Sequence, residues 1–126
     1  MAITSCLTNT FKEELLQGHH SFNASGDTPA GSAFKIALYT SSADLDTTTT
    51  VYTTSAEVAS GGGYTTAGEA LTNTGVAKST TTSYTDFSDV SWTSASFTAR
   101  GCLIYNSSTI SGLTTNATVC AIDFGG

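Results

Sequence analysis

The stretch Phe34-Lys35-Ile36-Ala37-Leu38-Tyr39-Thr40 decides the fold. Phe34, Ile36 and Leu38 fall at every second position, with Lys35, Ala37 and Tyr39 between them. Successive side chains on a strand point to opposite faces. The alternation therefore predicts a half-buried β-strand whose core face carries Phe34, Ile36 and Leu38. Two later stretches repeat the pattern. In residues 96–106, Phe97, Ala99, Gly101, Leu103 and Tyr105 share one face, and Cys102 and Ile104 the other. A glycine at 101 inside such a run marks a bulge or a close backbone approach. In residues 117–124, Val119 and Ala121 oppose Cys120, Ile122 and Phe124.

Weaker strand signals lie between these runs, at residues 21–24, 51–54, 64–71, 76–84 and 90–92. Pro29 and its neighbouring glycines mark residues 23–32 as a loop, and Asn73-Thr74-Gly75 reads as a turn. Trp92, the single tryptophan, is expected to anchor the core beside Phe97. About seven short strands separated by turn signals every ten or so residues describe a sandwich or barrel. The expected fold is all-β, a β-sandwich with the jelly roll as one form of it, preceded by one short helix. Residues 1–20 form an N-terminal arm with that helix, and residues 21–126 the sandwich domain.

The helix is expected near residues 11–17. Thr10-Phe11-Lys12-Glu13 has the S/T-x-x-E form of a capping box, and Gly18 suits the left-handed residue that ends a helix. Phe11, Leu15 and Leu7 fall on one apolar face. So short a helix must dock on the body or on a neighbour.

Composition narrows the function. Ser and Thr make up roughly a third of the 126 residues, far above ordinary usage. Thr is β-branched and suits exposed pleated faces, which implies sheets with hydroxyl-covered outer surfaces. The alternating apolar runs argue against disorder. Only four residues are basic (Lys12, Lys35, Lys78, Arg100), against a net charge of −6. That excludes a surface tracking nucleic-acid phosphates and disfavours anionic membranes. No apolar run approaches the roughly 18 residues of a membrane helix. Residues 1–6 lack a basic segment followed by an apolar one, so no secretory signal is read and the chain is expected to be made in a cytoplasm.

The residues assemble no recognisable chemistry. Cys6, Cys102 and Cys120 match no zinc or redox spacing. They read as small buried hydrophobes, with a Cys102–Cys120 disulfide as the alternative. His19 and His20 have no third histidine, and Asp44 and Asp46 lack the remaining calcium-loop ligands. The run Gly61-Gly62-Gly63 precedes Tyr64 rather than a phosphate-loop lysine. Neither histidine lies near a nucleophile elbow, and Asp86 and Asp89 read as a solvated turn rather than a hydrolytic pair. Asn23, Asn106 and Asn116 begin glycosylation-type triplets, which arise by chance in so hydroxyl-rich a chain. No enzyme activity, cofactor or metal is expected.

A resemblance adds a role. The opening Met1-Ala2-Ile3-Thr4-Ser5-Cys6-Leu7-Thr8-Asn9-Thr10-Phe11-Lys12-Glu13-Glu14-Leu15-Leu16-Gln17-Gly18-His19-His20 resembles the start of a family of small structural proteins of tailed bacteriophages. So does Phe34-Lys35-Ile36-Ala37-Leu38-Tyr39-Thr40-Ser41-Ser42-Ala43, together with the later glycine loop and Tyr64. The resemblance implies a virion component assembled in a host cytoplasm, in the role of a capsid decoration or cement protein. Its implied partners are the major capsid protein and further copies of itself. Related chains run on beyond a segment like residues 121–126, which implies a further strand or two, or their supply by another chain. The insertion around Pro29 is longer than is usual in such chains. On this reading Leu7, Phe11, Leu15 and Leu16 form the expected contact with the capsid or a sister subunit. The rival role is a head- or tail-fibre module whose Tyr52, Tyr64 and Tyr84 bind host glycans from tip loops. A bacterial surface adhesin is a third, disfavoured by the missing signal.

Overall fold

A computed structural model describes residues 2–125. Met1 and Gly126, the outermost residues of the expected arm and sandwich, lie outside the described residues. The elements in chain order are β1 (Cys6–Leu7), α1 (Asn9–Leu16), β2 (Phe34–Tyr39), β3 (Glu69–Leu71), β4 (Asn73–Ser79), β5 (Thr82–Phe87), β6 (Gly101–Asn106) and β7 (Ala117–Asp123). The fold is all-β with one helix, as expected. Five strands make one antiparallel sheet in the order β1-β7-β6-β2-β3, and β4 and β5 form a separate two-stranded hairpin.

The stretch that opened the sequence reading is central. β2 pairs with β6 along its whole length, from Phe34 opposite Asn106 to Tyr39 opposite Gly101. The strand is not half-buried, however. Ala37 and Tyr39 on the supposed outer face are fully buried. Residues 43–58 fold over that face and supply Ala43, Leu45 and Tyr52, which with Ile3 pack against Ala37, Tyr39, Leu103, Tyr105 and Ala121. Tyr52 stacks on Tyr105 with ring centroids 4.7 Å apart. Loops thus take the place of a second full sheet. A chain of this size has little apolar surface to spend, and most of what it buries lies on the two faces of one sheet.

The other face carries two clusters. Leu38 and Cys102 pack with Val58, Tyr64, Trp92 and Phe97, so Trp92 does lie beside Phe97, from a loop rather than a strand. Phe34 and Val119 pack with Phe11 of α1, Phe22 and Phe87. Phe22 and Phe34 stack at 4.7 Å. Val119 reaches this side because the register of β6 against β7 shifts between Ile104 and Tyr105. The bulge expected at Gly101 is therefore found further along, while Gly101 itself makes the close approach: a Cβ there would press on the Ile122 carbonyl and the Ile3 side chain.

Several expected strands differ. Residues 21–24 and 96–100 are loop, residues 51–54 retain only a bridge from Val51 to Ala117, and Asn73 to Gly75 is an irregular start to β4 rather than a turn. Residues 76–84 are not one strand. They cross a two-residue turn at Thr80 and Thr81, with Thr80 at φ +55°. Residues 2–20 belong to the same body as the sheet: β1 pairs with β7, and Ile3, Thr8, Phe11, Glu14 and His20 are buried.

Candidate interaction surface

The helix start is set by Thr8, not Thr10. The Thr8 hydroxyl accepts from the Phe11 N–H and is itself buried against Thr118, whose hydroxyl donates to it at 2.9 Å. The fully buried threonine is held by β7 from outside the helix, which sequence periodicity cannot reveal. The shift sends Phe11 and Glu14 inward together. Phe11 is thereby spent in the core and cannot form part of a contact surface. Leu7 and Leu15 stay about half exposed, and Leu16 is 90% exposed.

Behind the helix lies a buried polar pair that sequence reading missed. One Glu14 oxygen accepts from the Thr114 N–H at 2.8 Å. The other lies 3.9 Å from His20 Nε2. His20 Nδ1 sits 3.0 Å from the Asn106 side-chain nitrogen. That nitrogen can only donate, so Nδ1 accepts and the ring proton sits on Nε2, facing Glu14. Burial holds the His20 pKa below its ordinary value, against the opposing pull of Glu14. The arrangement fastens α1 to the body. It brings no nucleophile to the histidine.

A second hub surrounds Glu57. Its carboxylate accepts from the Tyr52 hydroxyl (2.6 Å), the Tyr64 hydroxyl (2.7 Å) and the Ala67 N–H (2.7 Å). The Tyr64 hydroxyl in turn accepts from the Leu38 N–H at 3.0 Å. That N–H lies on β2 between the stretch covered by β3, which ends at Ile36, and the stretch met by residues 56–58. Tyr64 therefore closes a gap in the ladder. The glycines at 61–63, all at positive φ, shape the loop that delivers it. Burial raises the pKa of both phenols. Tyr64 is buried and Tyr52 is half-buried. Of the three tyrosines expected on tip loops, only Tyr84 is exposed.

The remaining candidates are structural. Cys6, Cys102 and Cys120 are free; burial pushes the Cys102 thiol up to about 12 and Cys120 to about 11. Among the described residues no three His, Cys, Asp or Glu side chains gather to hold a metal. Asp46 accepts from the Thr48 N–H and hydroxyl within its own turn, and Asp86 accepts from the Phe87 N–H. Asn106 is fully buried.

What faces outward is a projecting arm. Every residue from 76 to 86 is exposed, yet all lie in the paired hairpin. Only Phe87 at its base reaches the core, against Phe22 and Phe34. Between arm and helix runs a shallow apolar groove of about 340 Å³ lined by Leu15, Phe22, Val76, Ser83, Tyr84 and Thr85. The structure thus joins the expected Leu15 to Tyr84, which was expected only as a glycan-binding residue, and to Val76, Ser83 and Thr85, which were not expected at a contact surface. Comparison of the chain with protein-family models, with curated protein sequences and with solved structures finds no match.

Proposed function

We propose that this chain is a non-enzymatic virion structural protein of a bacteriophage, a capsid decoration or cement protein that binds the major capsid protein and steadies the head. One observation carries the reading: on a tightly fastened helix, exposed Leu15 lines an apolar groove shared with the exposed hairpin and is followed in the chain by the still more exposed Leu16. Large apolar side chains exposed together mark contact surfaces. The body behind them has its sheet covered on both faces, with Glu14 and Glu57 engaged in holding loops. Such a body suits a protein that must be touched and must not deform. The sequence resemblance supplies the virion context. The fibre reading keeps only Tyr84 of its three tyrosines and is the weaker for it.

Removing residues 1–20 would empty the core of Ile3, Phe11 and His20, so the test uses Leu16→Glu, which changes a side chain already in solvent. Co-sedimentation with undecorated capsids should show the unaltered protein bound and the variant weakened by at least about tenfold, the equivalent of about 1.4 kcal/mol. Equal binding by the two, or binding to host cells and not to capsids, would refute the proposal.

A further inference from the structure

We propose that the outer edge of β5 pairs with the same edge of a second copy of this chain, building a four-stranded sheet in the order β4-β5-β5-β4 about a twofold axis at Tyr84. An isolated two-stranded hairpin is marginal in water, and this one buries almost nothing of its own from residue 76 to residue 86. Its sheet contains β4 and β5 alone. The two-residue turn makes Ser79 and Thr82 a hydrogen-bonded pair, and Ala77 with Tyr84 the next. Ser83 and Thr85 therefore turn their N–H and C=O groups outward, where no strand among the described residues lies.

The two edges of the hairpin are not alike. β4 carries a register irregularity between Asn73 and Gly75 and a lysine at 78, two of the devices that blunt an edge. β5 reads Thr82-Ser83-Tyr84-Thr85-Asp86-Phe87, with no lysine, no proline and an unbroken register. This edge is also complementary to itself. An antiparallel pair centred on Tyr84 sets Ser83 opposite the second copy's Thr85, each supplying one donor and one acceptor. Tyr84 then lies beside its own copy at a close, non-hydrogen-bonded position, where aromatic pairs contribute most. Asp86 meets Thr82, so no like charges face each other. The pairing deepens the expectation of self-association and depends on nothing about a capsid.

Sedimentation analysis and oxidative cross-linking test it. The unaltered protein should sediment at twice the chain mass. Ser83→Pro deletes one outward N–H and leaves the β4 ladder intact. Tyr84→Lys places like charges across the axis. Both variants should sediment at half the mass of the unaltered protein, with unchanged far-ultraviolet circular dichroism. Tyr84→Cys should cross-link two copies on mild oxidation, and Thr82→Cys should not. The proposal falls if the unaltered protein sediments as a single chain at every concentration, if both edge variants remain dimers, or if cysteines at 82 and 84 cross-link alike. A dimer with no affinity for capsids would sink the capsid reading and leave this one standing. A capsid-bound single chain would do the reverse.

Discussion

Glu57 shows how one side chain can organise a loop-covered face. Three donors converge on its carboxylate, two of them phenols kept neutral by burial. Glu57→Gln keeps the shape but replaces one acceptor oxygen with an amide that meets a donor. Hydrogen bonds to a charged group contribute about 1.5–3 kcal/mol each, and an unmatched buried donor costs a similar amount. Urea denaturation should therefore show a loss of about 2–3 kcal/mol, with Tyr64→Phe losing less on its own because only the Leu38 N–H is orphaned. Equal stability of Glu57→Gln and the unaltered protein would mean that the carboxylate does not hold the loops. The cysteines carry the opposite expectation. With Cys102 and Cys120 pushed up to about 12 and about 11 by burial, neither supplies thiolate near pH 8. Alkylation followed by mass spectrometry should leave both unmodified in the native protein and modify both in urea.

α1 separates what the sequence revealed from what it concealed. Its existence followed from local spacing, but its start did not. Thr10 satisfies the capping-box pattern, and Thr8 wins because β7 supplies Thr118 from 110 residues away. Thr8→Ala should cost about 0.5–2 kcal/mol, the range for a lost cap, and Thr10→Ala less than that, as read from thermal unfolding. The same distant contacts explain the other differences. β2, β6 and β7 were found because alternation is local, whereas the burial of Tyr39 depends on a loop folding over it. The hairpin is hidden from local reading because Thr80 takes a positive φ without the Asn or Gly that usually announces such a turn. The His20 clasp left no periodic trace either. It does leave a pH signature. Burial lowers the His20 pKa in the fold, with Glu14 opposing and His19 assisting, so the unfolded chain binds the proton more readily. Stability from this group is complete above pH 6.5, the ordinary histidine value, and declines as pH falls through it, until the folded form protonates too. Urea midpoints measured from pH 8 downward should fall below pH 6.5, and His20→Gln should flatten that part of the profile.

The molecule as a whole divides into a body packed on both faces of its sheet and an arm, residues 76–86, that is exposed throughout. Stability within a protein is distributed unevenly, and segments with few buried contacts open first. β2, β6 and β7 lie in the middle of the sheet with both faces covered, so their amides should exchange with solvent only through global unfolding. The arm has only its own ladder between residue 76 and residue 86, and in a single chain it should open and exchange orders of magnitude faster than the body. Self-pairing alters this in a pattern no other effect reproduces. The inward Tyr84 N–H bonds within the hairpin in either state, but the outward Ser83 and Thr85 N–H groups find acceptors only in the pair. Hydrogen exchange followed by NMR should show Thr85 protected in the unaltered protein and unprotected in Tyr84→Lys, while the Leu103 and Ile104 amides exchange equally slowly in both. A Thr85 amide that exchanges at the same rate in the two proteins would show that nothing seals that edge. A body that loosens together with the arm would show that the two are not separate units of stability.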